Sequence, residues 1–127
     1  MQHDAGFFYS VRTGVFFQFK SCKMPELSIA TLAKLQTYVH ELEIERGFID
    51  QTILEKCLLM GEEMGELFKA IRKTENISTD HNSETFHIGE ELVDILIYIC
   101  AIANRSGIDL EKSFRQKEEI NKKRVWK

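Results

Sequence analysis

The chain has 127 residues, which suits one domain with a core of useful size, and its 43% hydrophobic and 29% charged residues are typical of a globular protein. The net charge of −3 and the lack of a long apolar run give no reason to expect nucleic acid or a membrane as a partner. Three cysteines without close spacing argue against a disulfide framework and a zinc site, so we expect a reducing, cytoplasmic location.

The first 23 residues differ from the rest of the chain because they are rich in aromatic side chains. Two segments in this stretch, Phe7–Val11 and Val15–Phe19, can pair as a hairpin. The interpretation that we favour is an N-terminal extension or leader, with Met24-Pro25 as the native start. We therefore expect one domain over residues 24–127.

From Ser28 onward the apolar residues follow helical spacing. Ser28 can cap a first helix, which ends near Gly47 and has its apolar positions at Leu32, Leu35, Val39 and Leu42. Asp50 can cap a second helix over about residues 51–73, whose apolar face carries Ile53, Cys57, Met60, Met64, Leu67 and Ile71. Both Cys57 and, further along, Cys100 are expected to be small buried side chains. A polar loop follows over residues 74–83.

A third helix is predicted over about residues 84–104, and it stops at Ser106-Gly107, a typical C-terminal signal. Asp109 can cap a fourth helix that reaches about Arg124. No strand pattern follows residue 24, and the only proline precedes the helices. The sequence therefore predicts an all-α protein, an antiparallel four-helix bundle.

Four carboxylates occupy helix positions at which apolar side chains are expected. Glu63 and Glu66 lie on the second helix, and Glu91 and Asp94 lie on the third, each pair on one helix face because of its spacing. Asp94 is the only charged residue within the apolar stretch 92–103. An ionised carboxylate in such surroundings is costly unless it is paired or bound to a metal.

Two long helices joined by a short loop usually pack antiparallel, which would bring the two carboxylate pairs together. An all-oxygen site of this kind suits Mg²⁺, or Mn²⁺ as a substitute, rather than zinc. The neighbouring Glu62 and Glu90 point away from these faces and are interpreted as surface residues. His87, one turn before Glu91, is either a partner of a metal ligand or, as we favour, an exposed histidine at a helix end.

The predicted fourth helix carries a stripe that is apolar at its start and cationic at its end: Leu110, Phe114, Lys117, Asn121 and Arg124. Facing the acidic cluster, this stripe can hold phosphates that bridge to the metal, although cations also favour helix C-termini for electrostatic reasons. Lys56, on the acidic face of the second helix, is a further candidate for phosphate contact, the alternative being a solvent-exposed role. The basic C-terminal residues are interpreted as a solvated helix end: Lys122, Lys123, Arg124 and Lys127.

These motifs resemble those of the MazG-type all-α nucleoside triphosphate pyrophosphohydrolases. The family's E-x-x-E, spacer, E-x-x-D signature is matched by the four carboxylates Glu63, Glu66, Glu91 and Asp94. Its K-x-x-x-N-x-x-R ending is matched by Lys117, Asn121 and Arg124, although Val125-Trp126 follows here without the usual proline. The resemblance covers about residues 29–126.

The resemblance implies hydrolysis of a (d)NTP to the monophosphate and pyrophosphate, as in house-cleaning of nucleotide pools. Metal ions on the four carboxylates would bind the triphosphate, and Glu63 or Glu66 would take the proton of the attacking water. The family's basic tail implies substrate contacts from Lys117, Asn121 and Arg124. Three aromatic residues are candidates for stacking on the base, the alternative for each being ordinary packing in the core or at a helix end: Phe48, Tyr98 and Trp126. Homodimers or homotetramers with sites completed across subunits are also implied.

Two other classes of protein fit parts of the pattern. A di-iron carboxylate bundle needs two Glu-x-x-His pairs, and the sequence supplies Glu84-x-x-His87 but no second pair. A non-catalytic helical interaction module is compatible with four amphipathic helices but leaves Asp94 unexplained. Release of pyrophosphate from a nucleotide distinguishes the enzyme from both.

Overall fold

The computed structural model of the chain describes residues 31–78, 80, 82 and 87–125, and each regular element within them is an α-helix. In chain order the helices are α1 (Leu32–Glu45), α2 (Ile53–Thr74), α3 (Ile88–Arg105) and α4 (Leu110–Asn121). The predicted all-α fold is confirmed. The N-terminal extension, with the hairpin considered for it, lies outside the described residues. Across the described ranges, no helix combines the length and the hydrophobicity that crossing a membrane requires.

The first two helices are capped by threonines rather than by the predicted residues. Thr31 caps α1 by accepting a backbone N–H of the first turn through its hydroxyl, whereas the predicted cap, Ser28, lies outside the described residues. Thr52 caps α2: its hydroxyl accepts the backbone N–H of Glu55, and the Glu55 carboxylate accepts the backbone N–H of Thr52. This capping box satisfies two helix-end N–H groups at once, so the prediction of Asp50 as the cap was wrong.

The third helix begins later than predicted, and the fourth begins where predicted. His87 is the N-cap of α3 and its side chain makes no capping hydrogen bond, so the predicted start near residue 84 was wrong. The helix ends at the cap Ser106, followed by Gly107 with a φ of 63°, a left-handed value that glycine adopts readily. Asp109 caps α4 by accepting a backbone N–H at 2.9 Å. Both of these boundary signals are confirmed.

The core lies between α1 and α3. Both α1 and α2 pack against α3, and α4 packs against α1. Val39, Cys100 and Ala101 are almost fully buried at the α1–α3 contact, which confirms the predicted burial of Cys100. Partly buried apolar side chains surround them: Leu35, Tyr38, Leu96, Ile97 and Leu110. The helix that carries Glu91 and Asp94 is thus held between two neighbours.

The apolar face predicted for α2 remains largely exposed in the described part of the chain. Ile53 and Met64 are 42% and 40% exposed, and Cys57 is also exposed, contrary to the prediction. The residues that α2 buries are instead Lys56 and Ala70, on the face that carries the acidic residues. A hydrophobic pattern locates an apolar face without identifying what covers it. The pattern alone therefore did not predict which face of α2 packs against the rest of the described chain.

A buried amide ties α1 to the turn between α3 and α4. Gln36 is 8% exposed, and its Nε2 donates to Oδ1 of Asn104 at 3.1 Å and to the carbonyl of Ile108 at 2.7 Å. Its Oε1 accepts the backbone N–H of Leu110 at 2.9 Å. Asn104 donates in return to the backbone carbonyl of Gln36 at 2.8 Å. These paired polar groups fix the start of α4 against α1.

Candidate metal centre and substrate cavity

Three of the four predicted carboxylates meet between α2 and α3. Glu63 and Glu66 on α2 and Glu91 on α3 each place one carboxylate oxygen within 4.8 Å of the other two. Glu91 is 5% exposed, and the other two side chains are half-buried. The packing of α2 on α3 therefore produces a compact oxygen cluster, as the sequence predicted for these three residues.

The electrostatics of this cluster are unfavourable without a counter-charge. Burial raises the pKa of Glu63, and the negative charges of Asp94, Glu66 and Glu91 raise it further. Burial together with Glu66 and Asp94 likewise raises the pKa of Glu91. Moreover, Oε2 of Glu91 is buried and has no hydrogen-bond partner among the described residues. A divalent cation would relieve both the repulsion and the unsatisfied oxygen.

The fourth predicted ligand, Asp94, lies beside the cluster. Its charge contributes to the raised pKa of Glu63 and of Glu91, which places it in their immediate surroundings. It does not belong to the group of oxygens that lie within 4.8 Å of one another. His87 is exposed at the start of α3, in agreement with the interpretation as a helix-end histidine.

A cavity of about 320 Å³ opens beside the carboxylates. Side chains from α1, α2, α3 and the loop between α1 and α2 form its wall, including Glu43, Phe48, Lys56, Glu63, Asp94 and Tyr98. Two of the three aromatic residues proposed to stack on a base, Phe48 and Tyr98, therefore lie at one cavity. The third, Trp126, lies outside the described residues.

Lys56 is buried rather than solvent-exposed. Only 3% of the residue is exposed, and its Nζ lies 2.6 Å from Oε1 of Glu43, a residue of α1. The second oxygen of Glu43 accepts from Nη1 of Arg105 at 2.7 Å. Sequence reasoning missed Glu43 and Arg105. A signal did exist, because Glu43 follows Val39 at helical spacing and thus lies on the buried face of α1.

The predicted phosphate-binding stripe of α4 does not reach the acidic cluster within one chain. Helix α4 packs mainly against α1, and no described residue that lines the cavity belongs to α4. Lys117 and Arg124 are exposed, and the side-chain amide of Asn121 donates to Glu118 at 2.9 Å. Within one chain the stripe therefore does not meet the carboxylates, and its contact with phosphates stays a prediction.

Comparison with known proteins agrees with the all-α fold. The sequence model of one protein family, the MazG nucleotide pyrophosphohydrolase domain, matches residues 51–125 of this chain. Among solved structures, iMazG from Vibrio DAT 722 is similar at 33% sequence identity and a TM-score of 0.53, over 73% of this chain and 95% of that chain. A search of curated proteins found no match. The chain belongs to the MazG nucleotide pyrophosphohydrolase family.

Proposed function

We propose that the chain is a Mg²⁺-dependent pyrophosphohydrolase that cleaves a (d)NTP to the monophosphate and pyrophosphate, in house-cleaning of nucleotide pools. The observation that carries the proposal is the cluster of Glu63, Glu66 and Glu91, in which a buried oxygen of Glu91 lacks a partner within the described ranges. Family membership supports a nucleotide substrate. The hard oxygen donors favour Mg²⁺, with Mn²⁺ as a substitute.

The three clustered carboxylates, with Asp94 as the fourth ligand, are the groups proposed to hold the metal. The cation would supply positive charge to the triphosphate and to the leaving pyrophosphate. Water attacks the α-phosphorus, the bond from that phosphorus to the bridging oxygen breaks, and pyrophosphate departs. Glu63 or Glu66 accepts the proton of the attacking water.

The nucleoside is proposed to enter the cavity beside the carboxylates. Phe48 and Tyr98 offer aromatic faces on which a base can stack, and Lys56 offers a cation at the same wall. The cavity also includes Glu63 and Asp94, so a nucleotide with its phosphates at the acidic cluster can reach both groups of residues. We assign Phe48, Lys56 and Tyr98 to substrate binding, with Trp126 kept as a prediction.

A second copy of the chain is proposed to complete the site. Lys117, Asn121 and Arg124 would contact phosphates held by a partner, since α4 packs against α1 in its own chain. An exposed apolar stripe on α2 offers a surface for assembly into a homodimer or homotetramer: Leu54, Leu58 and Phe68, which are 69%, 64% and 57% exposed. A cytoplasmic location, with neither nucleic acid nor a membrane as partner, remains our prediction.

The test of this function is incubation of the purified chain with each common dNTP and NTP in Mg²⁺, with separate detection of pyrophosphate and orthophosphate. We expect equal amounts of nucleoside monophosphate and pyrophosphate, and no reaction when EDTA removes the metal. Release of orthophosphate alone would contradict the proposal. Lack of turnover with every nucleotide would instead favour a non-catalytic helical module.

A further inference from the structure

Glu43 and Lys56 line the cavity beside the carboxylates, and together with Arg105 they form a group of three charged side chains. Glu43 on α1, Lys56 on α2 and Arg105 at the end of α3 are joined by contacts of 2.6 and 2.7 Å. Glu43 and Lys56 are 5% and 3% exposed. Burying charges is costly even when they are paired, so stability alone is a weak explanation for such a group.

One oxygen of Glu43 helps to hold the loop between α1 and α2 in place through Arg105. This oxygen binds the guanidinium of Arg105, which also donates to three loop carbonyls: those of Phe48 at 3.0 Å, Ile49 at 3.3 Å and Gln51 at 2.6 Å. A guanidinium is planar and its donors point in fixed directions, so these bonds hold the loop in one position. Phe48, which lines the cavity, is part of that loop.

The other oxygen of Glu43 forms an ion pair with Lys56. The ammonium nitrogen lies 2.6 Å from this oxygen, 5.5 Å from the ring centroid of Phe48 and 5.7 Å from that of Tyr98. Both distances are within the range of a cation–π contact. An ammonium has three N–H donors, and Glu43 fixes its position between the two rings. Burial would raise the pKa of Glu43, but the contacts with Arg105 and Lys56 and their positive charges outweigh it and keep the pKa low.

We infer that Glu43 is a positioning residue for the nucleoside end of the site, because its two oxygens hold the Lys56 ammonium and, through Arg105, the loop that carries Phe48. Glu43 itself does not contact the substrate in this inference. The inference rests on the proposed function, since it assigns the cavity to a nucleotide. Its consequence is that loss of Glu43 weakens binding of the nucleoside part and leaves binding of the phosphates to the carboxylate cluster nearly unchanged.

The experiment compares ligands that carry a nucleoside with one that does not. Calorimetry in Mg²⁺ measures binding of the four α,β-imido deoxynucleoside triphosphates, which resist cleavage, and of inorganic tripolyphosphate. For Glu43→Gln we expect about tenfold weaker binding of the deoxynucleotides that bind the unsubstituted chain, because charged hydrogen bonds at the wall are lost. For tripolyphosphate we expect a change below about twofold. Unchanged nucleotide binding, or a parallel loss for both ligands, would overturn the inference.

Two milder variants keep the test informative if Glu43→Gln does not fold. Lys56→Met leaves the Glu43–Arg105 pair intact, and Arg105→Lys keeps a cation but loses the forked donors that bind the loop. Both should weaken nucleotide binding more than tripolyphosphate binding. Glu41→Gln, an exposed residue of the same helix, is the matched control and should bind both ligands normally.

The outcomes also separate this inference from the proposed function. If the unsubstituted chain binds neither nucleotide nor tripolyphosphate in Mg²⁺, the proposed function is wrong and the inference falls with it. If it binds and hydrolyses nucleotides but Glu43→Gln retains the binding of the unsubstituted chain, or both milder variants do so where Glu43→Gln does not fold, only the positioning role of Glu43 is wrong.

Discussion

Glu63 on α2 and Glu91 on α3 place carboxylate oxygens within 4.8 Å of each other, although both groups are negatively charged when ionised. Glu66 adds a third carboxylate to the same small volume. Like charges at this distance favour the protonated form, whereas a divalent cation makes the same arrangement favourable. The cluster should therefore destabilise the metal-free protein and stabilise the protein when Mg²⁺ is bound.

The first prediction concerns Glu91→Gln. In Mg²⁺ the unsubstituted chain should gain about 2.7 kcal/mol of stability at one hundred times the dissociation constant, because the metal binds only the folded state. The variant should lose most of this gain, and turnover should fall at least about a hundredfold. In EDTA, however, the variant should be the more stable protein because one negative charge is gone. Thermal unfolding with and without Mg²⁺ measures both effects.

The control for this comparison is Glu90→Gln, which removes an exposed neighbouring carboxylate. It should keep the response to Mg²⁺ and the turnover of the unsubstituted chain. A normal Mg²⁺ response in Glu91→Gln would remove Glu91 from the proposed metal site.

The second prediction is a pH dependence of stability in EDTA. The pKa values of Glu63 and Glu91 are raised above the ordinary value of 4.5, so the folded state binds protons more tightly than the unfolded state. Their contribution to the free energy of unfolding should therefore fall as pH rises from about 4.5 through the raised pKa values. Urea unfolding at a series of pH values measures it.

The matched comparison is the double variant Glu63→Gln, Glu91→Gln, which should show a smaller loss of stability over the same pH interval. Glu43 acts in the opposite direction and at lower pH, since its lowered pKa contributes stability that is lost as pH falls through that value. Identical pH curves for the double variant and the unsubstituted chain would contradict the electrostatic account of the cluster.

The third prediction concerns assembly. Leu58→Glu places a charge in the exposed apolar stripe of α2, where Leu58 is 64% exposed. Burying that charge in an interface would be costly, so the variant should shift from oligomer to monomer in light scattering. Ile44→Glu changes a side chain on α1 that is 56% exposed and should leave the mass unchanged. A monomeric unsubstituted chain would refute the role of the stripe.

The fourth prediction concerns the amide that joins α1 to the start of α4. Gln36→Leu leaves the N–H of Leu110, Oδ1 of Asn104 and the carbonyl of Ile108 without the Gln36 side chain as their partner. The free energy of unfolding should fall by about 1–3 kcal/mol, the usual cost of an unsatisfied buried polar group. Urea unfolding measures it, with His40→Ala as an exposed control on the same helix. A loss no larger than that of His40→Ala would count against the network.

Helix boundaries were predictable where the sequence offers a single residue that can cap or end the helix. Gly107 and Asp109 mark the end of α3 and the start of α4 as expected, because their conformations and hydrogen bonds involve only near neighbours in sequence. At the start of α2, however, Asp50 and Thr52 are both good caps. The Glu55 three residues after Thr52 completes a capping box, and this signal in the sequence would have identified the correct cap.

By itself the sequence determined the paired carboxylates and the helices that carry them, because the spacing of residues along one helix fixes which of them share a face. Only the tertiary structure decided what each face meets. It brought Glu63 and Glu91 together, placed α4 on α1 instead of over the cluster, and joined Glu43, Lys56 and Arg105 from three helices. These contacts connect residues far apart in the chain, and their cost or benefit depends on burial, which no local pattern specifies.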